Sequence, residues 1–356
     1  MSRFFSHKYD ALTPYTPGEQ PKERKYIKLN TNESPFPPSP KAVEAAAKAA
    51  GALQLYSDPT AAKLHEKIAA LYGVAPQNVL ATNGSDEILN FAFMAFCDKD
   101  HPAVFPNITY GFYSVFAELN SVPYEEIPLK EDFTIDPMDY IGIGKTIFIA
   151  NPNAPTGISL SLDTIEKIVK TNPDSVVVID EAYVDFGGET AAPLTKKYKN
   201  LLVTGTFSKS RSMAGARLGF GIACEELIND LNTIKYSTNP YNVNAMTMAA
   251  GIATLEDEAY TQRNCRTVME NRTFLQKELT KRGFVMTDSK ANFLFAAHPD
   301  YEGRDLYLAL REHGILVRHF QKPLIDKYLR ITVGAKEECE ALLSAFDAIF
   351  SETKEV

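Results

Sequence analysis

Residues 201–223 read LLVTGTFSKSRSMAGARLGFGIA, and this stretch indicates the class of fold. A mainly apolar run, LLVTGTF (201–207), is followed closely by Lys209, and a second run, LGFGIA (218–223), comes after a short connection that contains glycine. Strands covered on both faces have such continuous apolar runs, whereas half-exposed strands alternate apolar and polar residues. The stretch therefore predicts two buried strands, with a lysine at the end of the first.

Four further runs of the same kind lie upstream: VLAT (79–82), AVF (103–105), TIFIA (146–150) and VVVID (176–180). Helical stretches separate most of these runs, which is typical of parallel strands in a sheet that helices cover on both faces. We expect all six runs to be buried parallel strands. The sequence therefore predicts an α/β fold with a large, mostly parallel sheet.

The remaining sequence predicts an arm and a smaller unit. Prolines interrupt residues 1–40, so we expect an extended arm with one short strand in YIKLN (26–30), and a helix that begins at Pro40. Residues 41–250 are expected to form the large domain. Two helices up to Lys281 then lead into a small α/β domain, assigned to residues 251–356. Two domains suit a chain of 356 residues.

Composition excludes several classes of protein. The net charge is −8 and there is no long basic block, so we do not expect nucleic-acid binding. The start, MSRFFSHKYDALTPY, lacks the apolar core of a signal peptide, and no apolar run approaches the length of a membrane span. The four cysteines are far apart, which disfavours a clustered zinc site and fits a reducing compartment. We therefore expect a cytoplasmic protein with no membrane partner and no metal site.

One motif suggests a nucleotide-hydrolysing P-loop and is rejected. Gly144-Lys145-Thr146 together with VVVIDE (176–181) resembles the two phosphate-binding pieces of such a protein. The first piece needs a glycine five positions before Gly144, where Asp139 stands. Its lysine and threonine should also open a helix, and here they precede a predicted strand.

Lys209 is the strongest candidate for chemistry. It follows a buried strand, with the hydroxyl residues Thr206 and Ser208 beside it and Arg217 eight positions later. A poorly solvated lysine has a lowered pKa, and its neutral amine forms a Schiff base with an aldehyde. The hydroxyl groups and the arginine are suited to binding a phosphate. Taken alone, the stretch also fits an exposed turn with a solvated lysine.

Three other strand ends supply complementary groups. Asp180 ends VVVID and needs a cationic partner if buried, although a helix-capping carboxylate is the alternative. Gly84, Ser85 and Asp86 form a turn that opens a helix, and this turn is either an anion site or a plain cap. Tyr110 offers an aromatic face, or belongs to the core. The ends of parallel strands meet at one edge of a sheet. Together with Lys209, these groups would supply the amine, the carboxylate, the aromatic ring and the anion site that pyridoxal phosphate requires.

Seven short motifs occur in a fixed order: NGSDE (83–87), TYGFY (109–113), NPNAPTG (151–157), DEAY (180–183), TFSKS (206–210), AGARLGF (214–220) and LRITVG (329–334). Their order resembles the fold type I aminotransferases, and most closely the histidinol-phosphate aminotransferases, over nearly the whole chain from Leu12 onward. The resemblance implies a large sheet domain with a smaller α/β domain, and pyridoxal 5′-phosphate as the cofactor. It also implies amino transfer between L-histidinol phosphate and 2-oxoglutarate, with glutamate as the amino partner, in histidine biosynthesis. Aromatic amino-acid aminotransferases and threonine-phosphate decarboxylases of the same fold are the alternatives.

The resemblance implies roles for individual residues around the cofactor. Lys209 would form the Schiff base and move a proton, Asp180 would pair with the ring nitrogen, and Tyr183 would hydrogen-bond the ring hydroxyl. Tyr110 would stack on the ring. The other cofactor-binding residues, most of them around its phosphate, would be Gly84, Ser85, Asp86, Thr206, Ser208 and Arg217.

Further roles concern the substrate and a second subunit. Tyr56, in QLYSDP, resembles the tyrosine that reaches the cofactor phosphate of a partner, which implies a homodimer whose arm packs on the small domain or the partner. Arg330 resembles the arginine that binds the acidic group of the substrate. Arg318 and Tyr15 resemble contacts to the substrate phosphate, and Asn32 a polar contact on the substrate side. For Arg318, an arginine on an exposed strand surface is the alternative.

One position departs from the family pattern. An asparagine usually precedes Pro-Thr-Gly and reaches the ring hydroxyl of the cofactor, whereas this chain has Ala154 there. Either Asn153 takes over the contact, which makes it a cofactor-binding candidate, or Tyr183 holds the hydroxyl alone. A lost neutral hydrogen bond costs about 0.5–1.5 kcal/mol, so we expect activity to survive.

Overall fold

A computed structural model describes residues 2–10 and 12–354. Positions 1, 11, 355 and 356 belong to the predicted arm and small domain and lie outside the described residues. The α-helices are α1 (Pro40–Ala50), α2 (Ala62–Tyr72), α3 (Ser85–Phe96), α4 (Phe112–Leu119), α5 (Leu162–Thr171), α6 (Glu225–Thr238), α7 (Ala245–Leu255), α8 (Glu258–Lys281), α9 (Gly303–Glu312) and α10 (Lys336–Lys354). The strands are β1 (Ile27–Lys28), β2 (Val79–Thr82), β3 (Ala103–Pro106), β4 (Tyr124–Ile127), β5 (Thr146–Ala150), β6 (Val177–Asp180), β7 (Leu201–Thr206), β8 (Gly219–Ile222), β9 (Val285–Met286), β10 (Phe293–Ala297), β11 (Ile315–Leu316), β12 (Arg318–His319) and β13 (Leu329–Thr332).

Within the described residues, the larger sheet has seven strands in the order β2-β8-β7-β6-β5-β3-β4. All six predicted runs form strands of this sheet. The prediction that all six run parallel is wrong for β8, which lies antiparallel to both β2 and β7. The connection from β7 to β8 contains only a 3₁₀ turn at Ala214–Ala216, and without a crossover helix the chain returns beside β7 in the opposite direction.

Strand β4 was not predicted from the sequence. It is the edge strand next to β3, and its residues Tyr124, Glu125 and Glu126 are exposed. An edge strand with exposed side chains has no continuous apolar run, so its pattern gave no signal.

Helices cover both faces of this sheet, as the apolar runs predicted. On one face, α3, α4 and α6 pack over alternate strand residues such as Phe148 and Leu202. On the other face, α2, α5 and α7 pack over the residues between them, such as Ile147 and Leu201. Because successive side chains of a strand point to opposite faces, each strand buries both sets.

A second core forms around the sheet β12-β13-β10-β9, whose strands are antiparallel and on which α8 and α10 pack. The predicted strand in YIKLN is β1, which pairs parallel with β11 and so ties the arm to this unit. The boundary near residue 250 and the division into two domains stay predictions. Among the described residues, none of the helices combines the length and apolar character that crossing a membrane requires.

Candidate active site

The inner cavity lies at the edge of the large sheet where the parallel strands end. Residues that follow β2, β3, β5, β6 and β7 meet there, as the sequence predicted. The arm and the connection after β7 complete its wall. Its lining residues are Thr31, Glu33, Ser85, Asp86, Tyr110, Ala150, Ala154, Asp180, Ala182, Tyr183, Thr206, Ser208, Lys209, Ala214 and Arg217.

Lys209 faces this cavity and is held by the arm. Its ammonium nitrogen donates a hydrogen bond of 3.1 Å to the backbone carbonyl of Thr31. Burial lowers the pKa of Lys209 from its ordinary value to about 8, and the nearby positive charge of Arg330 acts in the same direction. The neutral amine, which nucleophilic attack on an aldehyde requires, is therefore more populated near physiological pH than in an ordinary lysine.

Asp180 ends β6 beneath the same cavity and is only 4% exposed. Its carboxylate accepts hydrogen bonds of 3.2 Å from both the hydroxyl of Tyr113 and the hydroxyl of Thr204. Burial raises the pKa of Asp180 to about 6. In the part of the chain that the structure describes, no cationic side chain pairs with it. A carboxylate of this kind is suited to a cationic group that a ligand brings into the cavity.

An anion cradle lies beside the lysine at the start of α3. Gly84 has a φ of +79°, and a Cβ at this position would overlap the guanidinium of Arg217. Arg217 donates hydrogen bonds to the carboxylate of Asp86 at 3.0 Å and to the hydroxyl of Ser208 at 3.5 Å. The hydroxyl of Thr206 in turn donates to that of Ser208 at 3.0 Å. Free N–H groups of a helix N-terminus, an arginine and hydroxyls together fit a phosphate.

Tyr110 lines the cavity close to this cradle. Its hydroxyl donates a hydrogen bond of 2.6 Å to the carboxylate of Asp86. Burial raises the pKa of Tyr110 well above its ordinary value, and the negative charge of Asp86 adds to this. Asp86 therefore holds the hydroxyl end of the Tyr110 ring, and the ring itself forms part of the cavity wall.

Asn32 was expected to make a polar contact on the substrate side, and in the structure its side chain contacts Tyr183 and Thr332. It is 1% exposed, and its side-chain amide donates a hydrogen bond of 3.0 Å to the hydroxyl of Tyr183. Its amide oxygen accepts a hydrogen bond of 3.0 Å from the hydroxyl of Thr332 in β13. Asn32 therefore lies behind Tyr183 and is not among the residues lining the inner cavity.

Asn153 is hydrogen-bonded to neighbouring protein groups. Its amide nitrogen donates to the carbonyl of Ile108 at 2.9 Å and to the hydroxyl of Thr156 at 3.1 Å. Its amide oxygen accepts from the hydroxyl of Thr109 at 2.8 Å. Ala154, and not Asn153, lines the cavity. Of the two alternatives for the ring hydroxyl, the geometry favours Tyr183, because Tyr183 lines the cavity and the amide nitrogen of Asn153 already donates to Ile108 and Thr156.

An outer cavity adjoins the inner one and shares Tyr110 and Ala154 with it. Its charged lining residues are all cations. The full set of lining residues is Tyr15, Thr16, Ile108, Thr109, Tyr110, Gly111, Ala154, Pro155, Arg318, Phe320, Lys322, Ile325 and Arg330. A cavity with three cations and no carboxylate among its lining residues is suited to an anion of more than one charge.

Two of these cations, Arg318 and Arg330, lie directly opposite each other in the antiparallel pair of β12 and β13. Like charges at such positions destabilise a sheet. Burial lowers the pKa of Arg330, and the proximity of Arg318 contributes. The guanidinium of Arg318 donates to the backbone carbonyls of Thr16 at 3.0 Å and Pro17 at 3.2 Å. A bound anionic ligand would reduce the repulsion between the two arginines.

Arg330 itself has unused hydrogen-bonding capacity. One of its terminal nitrogens donates to the carbonyl of Asn30 at 2.9 Å, and the guanidinium lies over the rings of Phe293 and Phe320. Its Nε is buried and has no partner in the described part of the chain. A buried donor without a partner is costly, so this arginine also indicates an anion site.

The two remaining predicted residues lie in different surroundings. Tyr15 lines the outer cavity and stacks on Phe112, with ring centroids 4.2 Å apart. Tyr56 is 84% exposed and stacks on Tyr241 at 4.5 Å, away from both cavities of its own chain.

Several residues of the site were missed in the sequence. Tyr113 supports Asp180 and lies three positions after Tyr110 in the same motif, and the two rings pack edge to face with centroids 5.7 Å apart. Thr31, Glu33 and Lys322 line the cavities from the arm and from the connection between β12 and β13. These segments are irregular, so no periodic pattern indicated which of their side chains face inward.

Comparisons with known proteins agree with this geometry. A family model described as "Aminotransferase class I and II" matches residues 24–346. The chain is 50% identical over 342 residues to a histidinol-phosphate aminotransferase of Brachyspira hyodysenteriae, with 96% of this chain and 97% of the relative covered. It is 51% identical over 355 residues to histidinol-phosphate aminotransferase 2 of Dechloromonas aromatica, with 98% and 99% covered.

A solved structure supports the fold. It is that of a histidinol-phosphate aminotransferase from Sinorhizobium meliloti in complex with pyridoxal-5′-phosphate, and it matches with a TM-score of 0.90 at 21% identity over 99% of each chain. The chain therefore belongs to the class I and II aminotransferases, and within them to the histidinol-phosphate aminotransferases. The resemblance found in the seven motifs is confirmed.

Proposed function

We propose that this protein is a pyridoxal-phosphate-dependent aminotransferase that moves an amino group between L-histidinol phosphate and 2-oxoglutarate, in histidine biosynthesis. The observation that carries the choice of substrate is the outer cavity, which places Arg318, Arg330 and Lys322 next to the cavity of Lys209. Relatives at 50% and 51% identity are histidinol-phosphate aminotransferases, which supports the same activity.

The inner cavity fits pyridoxal phosphate on two independent observations. Asp180 is a buried carboxylate without a cationic partner among the described residues, and the ring nitrogen of the cofactor, when protonated, is such a partner. The cradle of Gly84 and Arg217 has no room for a Cβ and offers N–H groups to a phosphate. When bound, the cofactor supplies a sink for the electrons that leave the reacting carbon of the substrate.

The protein's own groups then have defined tasks. Lys209 Nζ would hold the cofactor covalently and, once released, would accept the proton from the reacting carbon; the carbonyl of Thr31 lies 3.1 Å away, where it can orient the amine. Asp180 would keep the ring nitrogen protonated, and Tyr113 and Thr204 hold its carboxylate in place. Tyr183 would hydrogen-bond the ring hydroxyl, and Tyr110 would pack against the ring. Ser208 and Arg217 would bind the cofactor phosphate.

The outer cavity binds the anionic end of the substrate. Arg318 and Arg330 offer planar forks that match a phosphate or a carboxylate, so one site accepts histidinol phosphate and also glutamate. Tyr15, stacked on Phe112, closes the cavity from the arm. An aromatic amino acid brings only one carboxylate charge to the two arginines, whereas a phosphate brings close to two, which favours histidinol phosphate as the main substrate.

The assembly and location are part of the same proposal. Tyr56 is exposed next to Tyr241, and we assign to it a contact with the cofactor phosphate of a second copy in a homodimer. All four cysteines are free, which supports a reducing compartment such as the cytoplasm.

A substrate comparison tests the proposal. The purified enzyme with pyridoxal phosphate and 2-oxoglutarate is given L-histidinol phosphate, L-phenylalanine or L-threonine phosphate, and glutamate and carbon dioxide are measured. We expect the largest kcat/KM for glutamate formation with histidinol phosphate. A preference for phenylalanine would make the protein an aromatic aminotransferase, and carbon dioxide release from threonine phosphate would make it a decarboxylase.

A further inference from the structure

Lys322 is the third cation of the outer cavity. It lies in the connection between β12 and β13 and lines the outer cavity together with Arg318 and Arg330. Each arginine already donates to a backbone carbonyl. Among the described residues, no acidic side chain pairs with Lys322. Its positive charge is therefore available to a ligand.

The backbone that carries Lys322 is fixed even though its side chain is exposed. The carbonyl of Lys322 accepts a hydrogen bond of 2.9 Å from the N–H of Ile325. Ile325 is 2% exposed and packs in an apolar cluster with Ile108 and Phe295. Ile108 belongs to the segment that leads into the cavity wall. The apolar cluster therefore packs the connection between β12 and β13 against that wall. Lys322 is thus positioned at the rim.

Charge distinguishes the anions that the cavity has to accept. A phosphate monoester carries close to two negative charges above its second pKa of about 6, whereas each carboxylate of glutamate carries one. The Coulomb energy with a given cation scales with the charge of the ligand. A rim cation therefore favours the phosphate end of a substrate over a carboxylate end, and contributes nothing to a neutral aromatic ring.

We propose that Lys322 is a specificity residue, which selects substrates whose far end is a phosphate dianion. Arg318 and Arg330 accept either anion with their planar forks, and Lys322 adds the third charge that a dianion uses. The proposal deepens the proposed function and rests on it for the identity of the substrate.

The test compares Lys322→Met with Lys327→Met in the enzyme containing its cofactor. Lys327 is an exposed lysine of the same connection that does not line the outer cavity, so its variant controls for a general change of surface charge. We expect Lys322→Met to raise KM for histidinol phosphate about tenfold, as for a lost hydrogen bond to a charged group. We expect kcat to stay unchanged, and the kcat/KM for phenylalanine, whose carboxylate carries one charge, to fall much less than that for histidinol phosphate. The difference in KM for histidinol phosphate between the wild-type enzyme and the Lys322→Met variant should become smaller below about pH 6, because the phosphate then carries one charge.

A binding measurement separates this proposal from the proposed function. Calorimetry of inorganic phosphate binding to the cofactor-containing enzyme needs no turnover, and Lys322→Met should weaken that binding while Lys327→Met should not. Equal losses for phosphate and phenylalanine, an unchanged KM for histidinol phosphate, or the same effect in Lys327→Met would overturn the role of Lys322. A wild-type enzyme that binds inorganic phosphate through Lys322 yet does not convert histidinol phosphate would overturn the proposed substrate alone.

Discussion

The side-chain amide of Asn32 donates a hydrogen bond of 3.0 Å to the hydroxyl of Tyr183. The oxygen of the same amide accepts from Thr332, two residues beyond Arg330 in β13. Asn32 therefore connects the strand that carries Arg330 to the tyrosine proposed to contact the ring hydroxyl of the cofactor. With Ala154 in place of the usual asparagine, Tyr183 is the remaining candidate for that hydroxyl, and its orientation depends on Asn32.

Removing this amide should weaken cofactor binding through Tyr183. Asn32 has a φ of 56°, so Asn32→Gly deletes the side chain without adding backbone strain. We expect the Kd for pyridoxal phosphate to rise about threefold to tenfold, as for one lost hydrogen bond, in a fluorescence titration of the cofactor-free protein. In a Tyr183→Phe background the same change should have little further effect. Full additivity of the two variants would show that Asn32 acts elsewhere.

Replacing Asp180 by asparagine should slow amino transfer far more than it weakens cofactor binding. Two unit charges about 4 Å apart at an effective dielectric near 20 interact by ~4 kcal/mol, which corresponds to about 10³-fold in rate. The half-reaction with histidinol phosphate, followed by stopped-flow absorbance, measures this loss.

Glu181 provides a matched control for Asp180. It is the next residue and also buried, and burial raises its pKa to about 8. Its carboxyl group points to Thr190 and to the N–H of Ala191, at 2.6 Å and 2.5 Å. Glu181→Gln should therefore retain near-normal rates. Comparable losses in the two variants would mean that Asp180 has a structural role.

Covalent attachment of the cofactor should depend on pH through Lys209. Burial disfavours the charged amine, so its pKa is lowered to about 8, and the reactive neutral fraction grows as pH rises toward that value. Below pH 8 the attachment rate to the cofactor-free protein should rise about tenfold per pH unit, and level off above it. Pyridoxine phosphate, which has no aldehyde, should bind without this dependence. A midpoint near the ordinary lysine value would contradict the assigned environment.

The cradle at Gly84 should not tolerate a side chain. In Gly84→Ala the new Cβ meets the guanidinium of Arg217, so we expect the Kd for pyridoxal phosphate to rise at least about tenfold. Gly144→Ala is the matched control, because Gly144 also has a positive φ, of 65°, but has nothing within 4 Å of the added Cβ. Both variants lose stability through backbone strain, which thermal unfolding measures. An equal Kd for pyridoxal phosphate in the two variants would show that the cofactor phosphate binds elsewhere.

The sequence predicts the parts of the site that follow strands. Lys209, Asp180, Ser85 and Tyr110 come after apolar runs, and the ends of parallel strands share one edge of a sheet, so their meeting in one cavity was foreseeable. The direction of β8 was not, because its apolar run is the same whichever way the strand points.

The parts that depend on irregular segments were not predictable in this way. Asn153 lies in the expected motif, and yet its amide is hydrogen-bonded to Ile108 and Thr109, in the segment that follows β3. Asn32 and Lys322 lie in the arm and in a connection, where only the packing of other elements decides the direction of a side chain. The partner of Asn32 is 151 residues away in the chain, and no local pattern encodes such a contact.

A single half-reaction decides whether this protein transaminates histidinol phosphate. The enzyme with pyridoxal phosphate is mixed with L-histidinol phosphate in the absence of a keto acid, and the absorption band of the lysine-bound cofactor is followed. We expect the band to disappear as the cofactor takes up the amino group, and 2-oxoglutarate to restore it. A band that persists with histidinol phosphate, and disappears with phenylalanine or tyrosine, would show that the protein is an aromatic aminotransferase instead.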